Sequence, residues 1–345
     1  MRIACLMNKC CLGSNVGYNN IDNYMKQIEI TDIAFERHIA TNTYEWLFVG
    51  VGCESRVQTL IEKILAMRVN IKNALLLYYD DARVDLVDAV ECHLRHGKIN
   101  VVIEKIEADS SKRIWKLLNK YLTQVTESSN IIIDYSSMAR SWYSAILLWF
   151  RESPRSISCA SLYFLYAVGK YSLEIADKDV VIGQIETLPG CEGESNRHAR
   201  TVIVFGLGFY GSMALCACEQ LEPDVLYTIA TQENPIDGVV IEDRFGNKDL
   251  VRRAAQSFRL NVGSVAMAYR CLADVANRHL ARGEAVILVP MGPKTHVLAS
   301  ILVSLSNRSV CSLRVRHDQY KSDISASGEV IMTKVRFVDI DMPYR

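Results

Sequence analysis

Short, continuous apolar runs alternate with longer amphipathic segments along most of this 345-residue sequence, and this alternation limits the fold more than any other feature. The run Asn130–Ile133 is one example, because it lacks the apolar–polar alternation of a half-exposed strand. Continuous runs of this kind are typical of parallel strands covered on both faces by helices. The sequence therefore predicts an α/β fold built on doubly wound parallel sheets.

The two halves of the sequence predict the same kind of element order. In the first half, the predicted strands are 46–49, 74–79, 100–103, 130–133 and 160–166, and the predicted helices are roughly 54–67, 82–96, 109–126 and 137–151. In the second half, the predicted strands are 202–205, 225–229, 285–289 and 311–315, and the predicted helices are roughly 211–221, 247–258, 262–281 and 295–306. A further strand pair is predicted near 171–176 and 180–186.

Three landmarks recur in the same order at nearly one spacing, which indicates a repeat. They are Phe48–Gly52 with Val204–Gly208, Ile132–Arg140 with Val286–Lys294, and Ala160–Tyr163 with Cys311–Arg314, at offsets of 156, 154 and 151 residues. We therefore predict two tandem Rossmann-like units related by internal duplication. The alternative is two unrelated α/β domains that share generic turns. The predicted boundaries are an N-terminal extension (1–43), a first unit (44–186), a linker (187–200) and a second unit (201–345).

Composition narrows the class of protein. Lys plus Arg and Asp plus Glu both number 39, so no strong signal for duplex nucleic acid is expected. No run of 18 apolar residues predicts a membrane helix, and the N-terminus does not read as a signal peptide. The 11 cysteines are scattered without a CxxC pair, which favours reduced thiols and a cytoplasmic location.

In each half, a glycine-rich loop follows the first strand of the predicted unit and opens a helix. Glycines allow a tight turn and close approach of a ligand, and the N–H groups at a helix start favour an anion. The spacing in the second half is formally the dinucleotide fingerprint, with an acidic partner expected at Glu222 or Asp224. The first half lacks the third glycine, so no nicotinamide or flavin cofactor is predicted. The candidate ligand-binding residues of these loops are Gly50, Gly52, Arg56, Gly206, Gly208 and Gly211.

A second loop in each half carries polar and basic residues between a strand and a helix. The serines are suited to capping the helix and to donating to a phosphate. A cation in the first helical turn opposes the helix dipole unless an anion binds there, so a matched pair of cations favours a negatively charged ligand; the alternative is two solvated side chains. The candidate residues are Asp134, Ser136, Ser137 and Arg140 in the first half, and Lys294, Thr295 and His296 in the second.

Three other groups of residues have side chains that could bind a metal, catalyse a reaction or contact a base. Asp88, Cys92 and His96 would share one helix face, as Zn²⁺ ligands can, but no second cluster supplies a fourth ligand and no metal is predicted. A nucleophilic triad of Asp134, Ser136 and His296 would join opposite halves, so no catalytic residue is assigned. The segments 166–171 and 317–321 contain aromatic and basic residues that could stack on bases, or could be ordinary turns.

The second loop resembles the ligand loop of CARF domains, which sense cyclic oligonucleotides in CRISPR defence. That loop typically reads Thr-Gly-Gly-Thr-Lys, and the matching segments here are Ser136-Ser137-Met138-Ala139-Arg140 and Met291-Gly292-Pro293-Lys294-Thr295. Two such units in one chain resemble the SAVED arrangement of CBASS defence proteins. The resemblance implies a cyclic oligonucleotide as the kind of ligand, held over the junction of paired units.

The hypothesis from the sequence is that a phosphate-bearing nucleotide binds between two Rossmann-like units, in a sensor or subunit of prokaryotic antiviral defence. One alternative is a nucleotide- or nucleotide-sugar-processing enzyme, such as a GT-B-like transferase or a nucleotide hydrolase. Another is a scaffold subunit whose loops bind a protein partner or effector. Fold analogy alone supports the defence context, and the sequence leaves open whether a reaction is catalysed.

Overall fold

The computed structural model describes residues 26–171, 182–194, 199–233, 236, 239–317 and 323–339. These residues form two compact units. The N-terminal unit comprises the described residues up to Lys170 together with Asp323–Asp339, and the C-terminal unit comprises those from Tyr171 to His317. Within the described ranges, no helix is long and apolar enough to cross a membrane.

The N-terminal unit alternates strands and helices as the apolar runs predict. Its elements are β1 (Lys26–Ile33), α1 (Phe35–His38), a 3-10 turn (Ile39–Thr41), β2 (Thr43–Val51), α2 (Arg56–Ala66), β3 (Asn70–Tyr78), α3 (Val84–His96), β4 (Asn100–Lys105), α4 (Ser111–Tyr121), β5 (Asn130–Asp134), α5 (Arg140–Glu152), α6 (Arg155–Ser158), β6 (Ser161–Gly169) and, from later in the sequence, β13 (Ala326–Asp339).

The C-terminal unit follows the same plan. Its elements are β7 (Ile182–Thr187), β8 (Thr201–Gly206), α7 (Gly211–Leu221), β9 (Val225–Thr231), a 3-10 turn (Ile241–Asp243), α8 (Asn247–Arg253), β10 (Gln256–Leu260), α9 (Val265–Leu280), β11 (Ala285–Pro290), α10 (Lys294–Ser306) and β12 (Val310–His317).

Both sheets have the same strand order, and this confirms the predicted fold class of two Rossmann-like α/β units. The N-terminal sheet has seven strands in the order β4-β3-β2-β5-β6-β13-β1, and the C-terminal sheet has six in the order β10-β9-β8-β11-β12-β7. In each sheet the first five strands of this order are parallel, and the next one is antiparallel. A common order is what internal duplication predicts; the duplication itself remains a prediction.

Helices cover both faces of each sheet, which explains why the strands are apolar throughout. In the N-terminal unit, Leu47 and Val49 pack with α2 and α3 on one face, whereas the ring of Trp46 contacts that of Tyr121 at the end of α4 on the other. In the C-terminal unit, Ile203 and Phe205 pack with α7 and α8, and α9 packs against α10. Polar groups that bind a ligand must therefore lie at the ends of the strands.

The antiparallel strand β13 of the N-terminal sheet comes from the sequence that follows the C-terminal unit. β13 pairs with β6, with Val335 opposite Leu162, and also with β1, with Phe337 opposite Ile28. β7 pairs instead with β12 in the C-terminal sheet. The division therefore differs from the predicted boundaries, because 182–187 belongs with the second unit, 323–339 with the first, and part of the predicted extension is β1.

Three strands were missing from the sequence prediction, and one helix was too long. The helix predicted at 247–258 ends at Arg253, and β10 begins at Gln256. β10 is an edge strand of mixed exposure, so it lacks the continuous apolar signal of a central strand. β1 and β13 were missed as well. Residues 1–25, 172–176, 195–198 and 318–321 of the predicted segments lie outside the described residues.

Truncating a side chain in β13 should destabilise the N-terminal unit, although β13 follows the C-terminal unit in the sequence. Phe337 is fully buried, so Phe337→Ala should lower the free energy of unfolding by about 3–5 kcal/mol. All four tryptophans, at positions 46, 115, 142 and 149, precede the second half, so tryptophan fluorescence during urea unfolding reports the N-terminal unit.

The matched control is Glu329→Ala, at an exposed position of the same strand, which should change the urea midpoint little. An unchanged fluorescence midpoint for Phe337→Ala would contradict the assignment of β13 to this unit.

Candidate functional site

In the N-terminal unit, the two predicted loops pack directly against each other because β2 and β5 are neighbours. A Cβ atom added at Gly50 would lie 2.9 Å from the Cα atom of Met138, and one at Gly52 would lie 3.3 Å from the hydroxyl of Ser137. A side chain at Gly50 would therefore force the loops apart. The Tyr79 hydroxyl donates to the carbonyl of Ser137 at 3.1 Å and holds the second loop in place.

A carboxylate of the protein, that of Asp323, already lies at the start of α2, the helix that follows the first loop. The Asp323 carboxylate accepts the Ser55 backbone N–H at 2.7 Å and a hydrogen bond from the Arg83 guanidinium at 3.0 Å. Burial raises the pKa of Asp323, but the hydrogen bonds from Ser55 and Arg83 outweigh it and hold the pKa below its usual value. The Arg56 N–H also donates to the carbonyl of Ile324 at 3.2 Å. An anion from outside would have to compete with Asp323 here.

Arg56 has a structural role in this arrangement. Its side chain is 2% exposed and forms an ion pair with Glu54 at 2.7 Å. The same guanidinium donates to the Tyr166 hydroxyl at 3.2 Å and to the Ala167 carbonyl at 3.1 Å. The predicted ligand contact at Arg56 is therefore replaced by contacts that join α2 to β6.

The serines of the second loop were expected to cap α5, but no side chain caps this helix, and Ser136 instead joins the loop to β6. The Ser136 backbone N–H donates to Asp134 at 2.9 Å, and the Ser136 hydroxyl accepts the Ala167 N–H at 2.8 Å. The helix begins later, at Arg140, and its N-cap residue Ala139 has no side-chain oxygen. The part-buried Arg140 is thus the first residue of α5.

In the C-terminal unit, glycines bring the corresponding loops together in the same way. A Cβ atom added at Gly208 would lie 2.3 Å from the carbonyl oxygen of Met291, and one at Gly206 would lie 3.2 Å from the Cα atom of Pro290. At Gly211, the carbonyl oxygen of Phe245 takes up the space. These glycines are needed for packing between protein segments, so the fingerprint spacing does not require a dinucleotide.

The acidic partner expected for a dinucleotide lies at the wrong end of the sheet. The Asp224 carboxylate accepts the Thr201 N–H at 2.7 Å, at the amino end of β8. Glu222 is the left-handed residue that ends α7. Both positions are far along the strands from the carboxyl ends, where a ribose would bind.

The second loop of the C-terminal unit places buried polar side chains in the first turn of α10. Lys294 is part-buried, whereas Thr295 and His296 are 0% and 2% exposed. Among the described residues, neither the Thr295 hydroxyl nor either ring nitrogen of His296 has a hydrogen-bond partner. Each such buried polar group costs about 1–3 kcal/mol if left unsatisfied.

His296 lines a small pocket between the sheet and helices α9 and α10. The pocket lies beside Gly206 and Pro290, where β8 and β11 end, and its volume of about 10 Å³ has room for a single water molecule. β8 and β11 are the two strands between which the strand order reverses. Open α/β sheets bind ligands at this position.

One polar cluster carried no signal in the sequence. The buried ring of His279 pairs with Glu284 at 2.6 Å and with the Tyr227 hydroxyl at 2.9 Å. It ties the end of α9 to β9 at the amino edge of the sheet, away from the loops described above. The contact joins residues 52 positions apart, so no local pattern could have predicted it.

The remaining candidates are the predicted metal ligands and the catalytic triad. The Cys92 sulfur lies 3.3 Å from Nδ1 of His96, and the described residues contain no group of three or more His, Cys, Asp or Glu placed to hold a metal ion. Of the imagined triad, Asp134 and Ser136 lie in the N-terminal unit and His296 in the C-terminal unit. The Ser136 hydroxyl accepts the Ala167 backbone N–H, as described above.

The sequence matches no protein-family model and no curated protein. Among solved structures, the chain is similar to a type III CRISPR defence DNA nuclease activated by cyclic oligoadenylate, with 9% identity and a TM-score of 0.48. This similarity covers 79% of the chain and 66% of the nuclease, just under two thirds of its length. The cytoplasmic domain of a prokaryotic cation chloride cotransporter is similar with 9% identity, a TM-score of 0.26 and coverage of 79% and 95%.

Removing the Arg56 guanidinium should cost stability. Arg56→Met leaves Glu54 and the Ala167 carbonyl without their buried partner, so the free energy of unfolding should fall by about 2–4 kcal/mol. Urea unfolding measures this. The matched control is Arg95→Met, which breaks an exposed Arg–Glu pair within α3 and should cost less than about 1 kcal/mol. Equal losses in both variants would contradict the structural role of Arg56.

His296 should make stability depend on pH below neutrality. Burial lowers the pKa of His296 from 6.5 to about 4, and the Asn261 backbone raises it by a smaller amount. Between these values the unfolded chain binds a proton that the folded chain does not, so stability falls as the pH falls from about 6.5 toward 4. At about pH 4.5 the loss should reach about 2–3 kcal/mol.

The measurement is the difference in unfolding free energy between wild type and His296→Phe at about pH 7 and about pH 4.5. The titratable groups that wild type and His296→Phe have in common cancel in this difference. A difference that does not change with pH would show that His296 takes up its proton in the folded protein as readily as in the unfolded chain.

Proposed function

We propose that the chain binds a phosphate-bearing nucleotide at the second loop of its Rossmann-like units, as a sensor or subunit in prokaryotic antiviral defence. One observation carries the proposal. The first turn of α10 holds Lys294 and two buried polar side chains, Thr295 and His296, next to a pocket at the strand-order reversal. Open α/β sheets bind ligands where the strand order reverses, and buried polar side chains without partners at that place call for a polar group to satisfy them.

The helix start supports a phosphate as part of the ligand. α10 begins at Lys294 with Pro293 as its N-cap residue, and no side chain caps it. The N–H groups at a helix start and the positive end of the helix dipole favour an anion. Lys294 opposes that dipole by itself but stabilises an anion bound there.

The N-terminal unit repeats this arrangement with Arg140 at the start of α5, where the N-cap residue also lacks a capping side chain. The first loop of that unit is less suited to a ligand anion, because Asp323 already accepts the Ser55 N–H. We therefore place the phosphate contacts at the second loops, and assign Gly50, Gly52 and the fingerprint glycines to the packing of those loops.

The defence context rests on the loop resemblance to CARF domains. The loops Ser136–Arg140 and Met291–Thr295 occupy the position of the CARF ligand loop, after the fourth parallel strand of each unit in chain order. A cyclic oligonucleotide is accordingly the first ligand to test.

Neutralising the cation at either second loop should weaken ligand binding. A charge-assisted hydrogen bond is worth about 1.5–3 kcal/mol, so Arg140→Ala and Lys294→Ala should each lower affinity by about ten- to a hundredfold. Native mass spectrometry of the freshly purified protein identifies bound nucleotides, and calorimetric titration of the variants with those nucleotides measures the effect.

Lys112→Ala and Lys248→Ala are matched controls, because they remove cations from the first turns of α4 and α8. They should leave affinity unchanged. If only one of the two loop variants weakens binding, the nucleotide binds to one unit alone, as in the transferase hypothesis. If neither does, the phosphate contacts at the second loops are wrong.

A further inference from the structure

Two consecutive backbone N–H groups at the start of α2 donate to a segment that lies near the end of the sequence. The Ser55 N–H donates to the Asp323 carboxylate at 2.7 Å, and the Arg56 N–H donates to the carbonyl of Ile324 at 3.2 Å. Asp323 and Ile324, which we call the strap, therefore supply two oxygens to a helix start, as a bound phosphate does.

The strap also brings a negative charge, and the protein supplies a cation to meet it. The Arg83 guanidinium donates to the Asp323 carboxylate at 3.0 Å. Burial raises the pKa of Asp323, but hydrogen bonds from the Ser55 backbone and hydroxyl and the charge of Arg83 lower it by more, so the carboxylate is ionised near pH 7. The start of α2 thus binds an anion in this structure, and that anion belongs to the protein itself.

The donors do not depend on the strap for their positions. Ser55 is the N-cap residue of α2. The Arg83 backbone N–H donates to the carbonyl of Gly52 in the first loop at 3.3 Å, and the Arg83 guanidinium donates to Asp85 at 2.7 Å. Because the helix, the first loop and Asp85 hold these groups, the site would keep its shape if Asp323 moved away.

The strap is held weakly enough to be exchanged for another anion. The side chains of Arg83 and Asp323 are 41% and 49% exposed, and ion pairs as exposed as this contribute little to stability. The following residue is fixed more firmly, since the Ser325 carbonyl accepts the Lys170 N–H at 2.8 Å just before β13. Displacement of the strap would therefore end at Ser325 and leave the sheet intact.

We propose that the start of α2 is a phosphate site that Asp323 keeps closed, and that a phosphate-bearing molecule opens it by displacing the Asp323 carboxylate. One phosphate group has the charge and the oxygens to accept both N–H groups and the Arg83 guanidinium at once. The strap needs a side chain and a carbonyl to do the same. This site is additional to the phosphate contacts proposed at the second loops and does not depend on them.

The experiment measures binding of inorganic pyrophosphate and of ribonucleoside monophosphates by calorimetric titration of the full chain. The parent protein carries Arg140→Ala and Lys294→Ala, so that the contacts proposed at the second loops do not contribute. Asp323→Ala removes the competing carboxylate from this parent, and Asp323→Asn keeps an oxygen acceptor without the charge. Asp80→Ala is the matched control, because it removes an exposed carboxylate that follows β3 and pairs with Lys105.

Asp323→Ala should raise the affinity for both probes by about tenfold, since a charge-assisted hydrogen bond within the protein no longer competes with them. Asp323→Asn should give a smaller increase, and Asp80→Ala should change affinity by less than about twofold, because salt screens distant exposed charges. Adding Arg83→Met to Asp323→Ala should abolish the gain, which locates the bound anion at α2. Asp323→Ala should unfold in urea close to the midpoint of the parent, because the ion pair is exposed. This result excludes misfolding as the cause of altered binding.

Equal affinity of the parent and Asp323→Ala for both probes would overturn the inference, as would a gain that survives Arg83→Met. A gain with pyrophosphate assigns the site to the phosphate itself, whereas a gain confined to monophosphates assigns it to nucleotides. The second loops are tested separately, by Arg140→Ala and Lys294→Ala in the chain with Asp323 intact. If those two variants leave nucleotide affinity unchanged while Asp323→Ala gains binding, the proposed function fails and the inference stands.

Discussion

The pairing of β13 with β6 is the contact on which the N-terminal unit depends. β13 supplies a neighbour for the last parallel strand of the sheet and a partner for β1, so two of the seven strands join the sheet through it. The same strand fixes the segment just before it. Because Lys170 donates its N–H to the Ser325 carbonyl at 2.8 Å, the chain enters β13 across the carboxyl edge of the sheet. Asp323 and Ile324 thereby reach the start of α2.

This placement makes the two units unequal at the first loop despite their common strand order. At the start of α2, the Asp323 carboxylate accepts the Ser55 N–H and gains from the helix dipole. In the C-terminal unit, the corresponding loop is instead held by donors: Asn247 donates its side-chain N–H to the Gly208 carbonyl at 2.8 Å, and Arg244 donates to that of Phe209 at 3.1 Å. Different side chains therefore hold the first loop in the two units: a carboxylate in the N-terminal unit, and an amide and a guanidinium in the C-terminal unit.

The sequence predicted the central strands well, because burial on both faces makes every residue of such a strand apolar. The sequence prediction failed for strands that are not buried on both faces. β10 is an edge strand and β13 alternates between buried and exposed positions, so neither has a continuous apolar run. The loops of the candidate site were found because glycines and helix starts are local signals. The hydrogen bond between Ser55 and Asp323 joins residues 268 positions apart. The burial of His296 depends on residues of α9 and β10. No local sequence pattern could therefore predict either feature.

The candidate site differs from the other buried polar groups of the fold because its polar side chains lack hydrogen-bond partners among the described residues. His279 shows how a buried histidine is normally accommodated, with a carboxylate on one nitrogen and a hydroxyl on the other. Ser136 and Arg56 are satisfied in the same manner. His296 is equally buried in the same unit, yet within the described residues its ring has no such partners. Phenylalanine would fill this space at a lower cost in stability. The adjoining space of about 10 Å³ has room for a single water molecule, so the partner that satisfies the imidazole is a small polar group at the edge of the sheet where the strand order reverses.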